Sequence, residues 1–276
     1  MRARTGSRAS QEGIGIVDLQ AAAAFVRRAG TDSELLRLRC LLGEDIPLDL
    51  RVREVCAGQR ADGGFAPYWA TDYSGVDATC FRLAHGAQAD IPLELPETCA
   101  ALAFLESRQR ADGTWEEEAG FAPKAPSWAR PGDLQATLYL TANAGSLLAT
   151  ARRTEPARLA AAYLLGLRGA DNWLPSYLHA NWLAAALFRH VGEDAAAEGI
   201  LAGLAARSAN LSAGALAWMV TSLAEAGVAH SHPTIAQAVQ RIQKQQRADG
   251  SFPSGDGPDF DAHATLEAIR ALRCRA

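Results

Sequence analysis

The chain has 276 residues, a mass of 29.3 kDa, a formal net charge of -4 and a pI near 5.9. That size admits one large domain or two small ones, and without a basic block the charge excludes a phosphate-backbone binder, so no nucleic-acid partner is expected. Hydrophobic residues make up 49% and charged residues 21%, an ordinary globular composition.

Alanine accounts for more than a fifth of the residues and favours helix over strand. Arginine far outnumbers lysine, which occurs only at Lys124 and Lys244. The apolar stretches are short and broken by Arg, Glu or Gly, so no membrane span is expected. Residues 1–12 read as a disordered, basic and polar tail without the apolar run of a secretory signal. Five cysteines (Cys40, Cys56, Cys80, Cys99, Cys274), with no Cys-x-x-Cys, suggest buried thiols and a cytoplasmic location.

In chain order, apolar spacing of helical period predicts helices at 18–29, 32–43, 47–59, 73–88, 95–109, 131–151, 155–168, 175–190, 193–207, 212–227, 232–247 and 259–273. Asp32, Ser33, Ser212 and Asp259 mark starts, and Gly30, Gly86, Gly192 and Gly227 mark stops. No alternating strand pattern is present. The longest connection runs from Trp115 to Gly132 and suits a lid; Glu116, Glu117 and Glu118 within it read as an exposed acidic run.

Between the helices a motif recurs. Gln-Arg-Ala-Asp-Gly stands at Gln59–Gly63, Gln109–Gly113 and Gln246–Gly250, each followed two residues later by an aromatic: Phe65, Trp115 and Phe252. Degenerate copies occur around Arg28, Arg168 and Arg207, giving six helical hairpins across residues 13–276. Each hairpin exposes an apolar face that must be buried on its neighbours, and six can close into a ring. The motif's Gln and Arg suit tying down the last carbonyls of an outer helix, with Gly allowing the turn.

The repeats Gln109-Arg-Ala-Asp-Gly-Thr-Trp115 and Gln246-Arg-Ala-Asp-Gly-Ser-Phe252 resemble the Gln-x-x-Asp-Gly-Ser-Trp core of the terpenoid-cyclase and protein-prenyltransferase superfamily. The resemblance covers nearly the whole chain and implies an all-α, (α/α)6 toroid. It also implies an enzyme that acts on an apolar, isoprenoid-like substrate.

In such a ring the second helix of each pair lies inside, and the inner helices start around one mouth of the cavity. The residues gathered there include Asp77, Cys80, Asp133, His179, Asp259, Asp261 and His263. Trp69, Tyr73, Trp128, Tyr139, Tyr177, Trp182, Trp218 and Phe260 surround them as substrate-binding aromatics. Asp259-Phe-Asp261-Ala-His263 is similar to the Asp-x-Asp-Asp-Thr of class II cyclases, with Ala262 in place of the third Asp. The resemblance makes Asp261 the general acid, with Asp259 and His263 tuning it, in a carbocationic cyclisation or isomerisation without cofactor. Asp259 and Asp261 equally suit an N-cap and first turn, where the helix dipole favours the ionised carboxylate.

The other branch of the superfamily offers an alternative. Asp77-Ala-Thr-Cys80 resembles the zinc-binding stretch of the prenyltransferases, with His263 as a third ligand. Magnesium enters only if the substrate is a diphosphate, which Lys124 and Arg130 would meet. A third reading is a non-catalytic toroid binding an apolar ligand or protein. Closing the cavity of a lone toroid calls for a homodimer, a partner subunit or the 115–132 connection.

Overall fold

A computed structural model describes residues 17–273, and the tail expected at 1–12 lies outside them, as does Cys274. Twelve α-helices are present among the described residues: α1 (Leu19–Ala29), α2 (Asp32–Leu41), α3 (Leu48–Val55), α4 (Val76–Gln88), α5 (Pro96–Arg108), α6 (Leu134–Thr150), α7 (Thr154–Gly166), α8 (Leu178–Val191), α9 (Asp194–Arg207), α10 (Ala213–Glu225), α11 (Pro233–Gln243) and α12 (Asp261–Arg273). No strand occurs among the described residues beyond isolated bridges of Phe65 with Gln59 and Gly75.

The even-numbered helices touch in the order α2, α4, α6, α8, α10, α12, and α12 returns to α2. They form a closed inner ring, and the odd-numbered helices pack outside it. This is the (α/α)6 toroid, with one continuous apolar core running between the two shells. Alanines on the facing sides, among them Ala144, Ala160, Ala184 and Ala217, are fully buried and let the helices approach closely.

Each motif locks one outer helix to the next. The Gln59 amide donates to Gly63 O at 2.9 Å and to Glu97 O in the first turn of α5 at 2.7 Å. Gln109 repeats this on Gly113 and on Pro156 of α7, and Gln246 on Gly250 and Asp18 at the start of α1. The glutamines therefore hold the first turn of the following outer helix, where the sequence suggested the last carbonyls of the preceding one. Gln246 ties the last hairpin to the first helix and so closes the ring.

The motif glycine is obligatory. Gly63, Gly113 and Gly250 all have φ between 86° and 90°. A Cβ on each would lie 2.3–2.6 Å from a backbone carbonyl of α5, α7 or α1.

Helix starts differ from expectation in instructive ways. Thr31 caps α2 in a capping box with Glu34, displacing Asp32 and Ser33 from that task. α4 begins at Val76, since Phe65 pairs with Gly75 and holds the preceding residues extended. α12 begins at Asp261, because Pro258–Phe260 forms a separate 3-10 turn that takes up Asp259. Gly86 lies inside α4 and does not stop it.

Candidate active site

The geometry follows from a register device shared by four inner helices. The backbone N–H after each motif donates to a side chain on the helix that follows: Phe65 to Thr79 Oγ1 at 3.0 Å, Trp115 to Thr141 Oγ1 at 3.1 Å, Leu174 to Asn181 Oδ1 at 2.9 Å and Phe252 to Thr265 Oγ1 at 2.9 Å. Two residues before these anchors stand Asp77, Tyr139, His179 and His263; the first three lie at one level of the successive inner helices α4, α6 and α8, whereas His263 stands on α12, beyond α2 from α4. Adjacent members meet. Tyr139 Oη donates to Asp77 Oδ1 at 2.7 Å, and the Tyr139 and His179 rings are edge-to-face at 4.6 Å.

Asp77 sits in the first turn of α4, deep within the ring. Its Oδ1 accepts from Tyr139 Oη and from Asn143 Nδ2 at 3.3 Å, and the Trp128 indole also hydrogen bonds to the carboxyl. Burial raises its pKa above the ordinary carboxylate value, and the three hydrogen bonds oppose that rise.

Beyond Tyr139 the aromatic wall continues. His179 stacks between Tyr177 at 5.3 Å and Trp218 at 5.8 Å, and Trp182 crosses Trp218 edge-to-face at 5.3 Å. Burial pushes the His179 pKa down to about 4, so the imidazole is neutral at pH 7. The wall therefore presents π faces and no cation. Trp182 Nε1 is buried without a partner.

The 115–132 connection packs on the starts of α4 and α6. Of its acidic run only Glu118 is exposed as expected; Glu116 and Glu117 turn inward. Glu117 is only 3% exposed and accepts from Tyr73 Oη, Val76 N and Asp77 N at 2.8–3.1 Å, capping α4 in place of the missing side chain of Gly75. Glu116 accepts from Thr137 Oγ1 at 2.7 Å and pairs with Arg110 at 2.9 Å. Trp128, from the same connection, packs on the core and reaches Asp77.

The remaining expected site residues lie elsewhere or are otherwise engaged. Asp261 is buried, but its Oδ1 accepts from Ser254 N at 2.7 Å and its Oδ2 pairs with the motif's Arg247. It lies four residues before its anchor Thr265, level with Gly75, Thr137 and Tyr177. Asp259 is exposed in the 3-10 turn and Phe260 is 53% exposed beside it. Asp133 caps α6 by accepting from Ala136 N at 3.0 Å. Tyr73 stacks on Phe121 at 4.2 Å with Trp69 behind it, forming a rim cluster held by Glu117.

The zinc alternative is not supported by this geometry. Among the described residues no group of three His, Cys, Asp or Glu side chains stands where it could hold a metal ion. Asp77 is turned toward Tyr139 and Asn143, whereas His263 Nδ1 lies 3.3 Å from the Arg37 guanidinium. The Cys80 thiol is buried, and burial first and Asp77 second raise its pKa. Lys124 and Arg130, expected to meet a diphosphate, are exposed.

No protein-family model matches the chain, and no curated protein is similar to it in sequence. Solved structures are similar in fold. A variant of the type II terpene cyclase MstE from Scytonema, in complex with its substrate geranylgeranyl dihydroxybenzoate, is 15% identical with a TM-score of 0.56, over 93% of this chain and 86% of that one. The apo form of MstE gives 16% identity, a TM-score of 0.54 and coverage of 92% and 86%. The fold is that of the type II terpene cyclases. A protein from Actinoplanes shares it too, at 18% identity, a TM-score of 0.57 and coverage of 93% and 89%. Among the described residues no helix is long and apolar enough to cross a membrane.

Proposed function

We propose that the protein is an enzyme of the type II terpene cyclase kind, which protonates an alkene or epoxide of an apolar substrate and guides the resulting cation to a cyclised or isomerised product. The observation that carries this reading is the half-buried Asp77 carboxyl, hydrogen bonded on one oxygen by Asn143 and by Tyr139, whose ring begins the aromatic wall. Protonating a carbon–carbon double bond demands an acid that holds its proton at rest yet becomes a stabilised anion once the proton leaves. Burial raises the Asp77 pKa in the direction of the first property. The donors from Tyr139 and Asn143 supply the second, since they strengthen as charge develops on Oδ1.

The proton moves from the Asp77 carboxyl to the substrate carbon, and the π faces of Trp218 and Tyr177 stabilise the cation without capturing it. His179 is neutral and can accept the proton that leaves at the end, so the step balances without a redox partner.

This reading moves the acid from Asp261 to Asp77. Both oxygens of Asp261 are occupied, one by a guanidinium that favours the anion, and the whole assembly joins motif to helix. Asp261 then serves the fold, as Glu116 does for Arg110. The test is turnover of linear polyprenyl alcohols and hydrocarbons by paired variants. Asp77→Asn abolishes product while the protein stays folded, and Asp261→Asn retains turnover at a lowered melting temperature. Full activity in Asp77→Asn overturns the assignment.

A further inference from the structure

The inward stripe of α4 continues past the acid. Asp77, Phe81, His85 and Gln88 recur at intervals of four, four and three residues and share one face. Asp77 and His85 are therefore separated by about 12 Å of helix rise. On α12, His263, Glu267 and Arg270 form a matching stripe. Because α2 stands between α4 and α12, the approaches of His263 to Phe81 (6.1 Å) and to His85 (6.0 Å) cross the interior of the ring.

At this lower level the ring is polar. Arg37 of α2 is 2% exposed; it donates to Gln88 Oε1 at 2.8 Å, lies 3.3 Å from Glu267 and reaches His263 Nδ1. Arg270 pairs with Glu225 and lies 3.6 Å from Glu267. Two arginines thus face two glutamates, and the charges balance.

The hydrogen bonding does not balance. His85 is 6% exposed, yet neither ring nitrogen has a partner, and Arg37 Nε is also buried and unpartnered. Leaving such a group unsatisfied costs its full desolvation, so a buried histidine without any partner calls for one. Phe81, between Asp77 and His85 and against the His85 ring, is 51% exposed.

We propose that His85 and Arg37 form a head-group subsite for a neutral hydroxyl, carried at the end of the apolar substrate opposite the double bond that Asp77 protonates. A hydroxyl both accepts and donates, and Arg37 Nε–H with a neutral imidazole offers both counterparts. Burial and the neighbouring Arg37 hold His85 neutral. A carboxylate or diphosphate would add buried negative charge to a cluster whose arginines are already paired. The substrate class is then an apolar polyene alcohol or phenol bound lengthwise. This inference rests on the acid assignment at Asp77 for its direction along the ring.

The test is direct binding, followed by quenching of the cavity tryptophans in the intact protein, with two probes: farnesol and the hydrocarbon in which its CH2OH is CH3. Farnesol is expected to bind about tenfold more tightly, the value of one well-made hydrogen bond in a buried site. In His85→Phe that preference disappears while hydrocarbon affinity is unchanged, and in His85→Asn it is largely kept. Asp77→Asn leaves the preference intact. Equal binding of both probes to the wild type overturns the subsite and leaves the apolar-substrate reading standing. Failure of both probes to bind overturns both readings. The wild-type comparison does not depend on whether any variant folds.

Discussion

Burial and hydrogen bonding act on Asp77 in opposite directions, and that opposition is what an acid catalyst for an alkene requires. Tyr139→Phe removes one donor from the developing carboxylate and is expected to lower turnover about 100-fold with little change in substrate affinity, read as kcat against KM. The raised pKa has a consequence for stability as well. Below about pH 3.8 both the unfolded and the folded chain hold the Asp77 proton. Above it the unfolded chain releases the proton and the folded chain keeps it, so stability is lost as pH rises through the folded pKa. Asp77→Asn removes that loss and is expected to raise the melting temperature at pH 7, with the gain fading toward pH 4. A catalytic group that destabilises the fold is the signature to look for in that scan.

At the scale of elements, the motif couples three events: the glycine turn, the glutamine clasp on the next outer helix, and the register anchor on the next inner helix. Gly113→Ala forces a Cβ to 2.6 Å from Leu159 O at a φ of 90° and is expected to destabilise by about 2 kcal/mol or more in urea unfolding. Gln246→Ala severs the clasp between the last motif and Asp18, at an expected cost of about 1–3 kcal/mol, with α1 amides losing exchange protection first.

Much of this was legible in the sequence. The helical period and three copies of the motif gave twelve helices in six hairpins, because both signals are local and repeated. The acid was less legible. Asp261 follows the last motif and resembles a known acidic pattern, but its partners Ser254 and Arg247 are set by the turn between them. The signal pointing to Asp77 was present as Asp77-x-Thr79, the same spacing as Tyr139-x-Thr141, His179-x-Asn181 and His263-x-Thr265. It becomes readable only once the threonine anchors are known. Glu117 was missed because a short acidic run in a connection ordinarily faces water, and only the fold brings the start of α4 beneath it.

For the whole molecule, the closed inner ring sorts its side chains along its axis: acid and aromatics at the mouth where the helices begin, a balanced ionic belt toward their ends. Holding neutral histidines inside this ring makes it sensitive to acid. Burial lowers the pKa of His179 to about 4 and lowers those of His85 and His263 below the ordinary 6.5. Below pH 6.5 the unfolded chain takes up protons that the folded chain refuses, so stability falls as pH drops from 6.5 toward 4. His179 alone is worth roughly 3 kcal/mol of that loss at the lower limit. His179→Phe is expected to flatten the melting-temperature profile over that window, measured by circular dichroism.

The measurement that tests the account most directly is incorporation of solvent deuterium. Polyprenyl alcohols incubated with the protein in D2O are expected to yield a cyclised or isomerised product carrying one deuterium per initiating protonation, read by mass spectrometry, and Asp77→Asn is expected to yield none. Product that forms without deuterium, or labelled product that persists in Asp77→Asn, would contradict acid initiation from this residue.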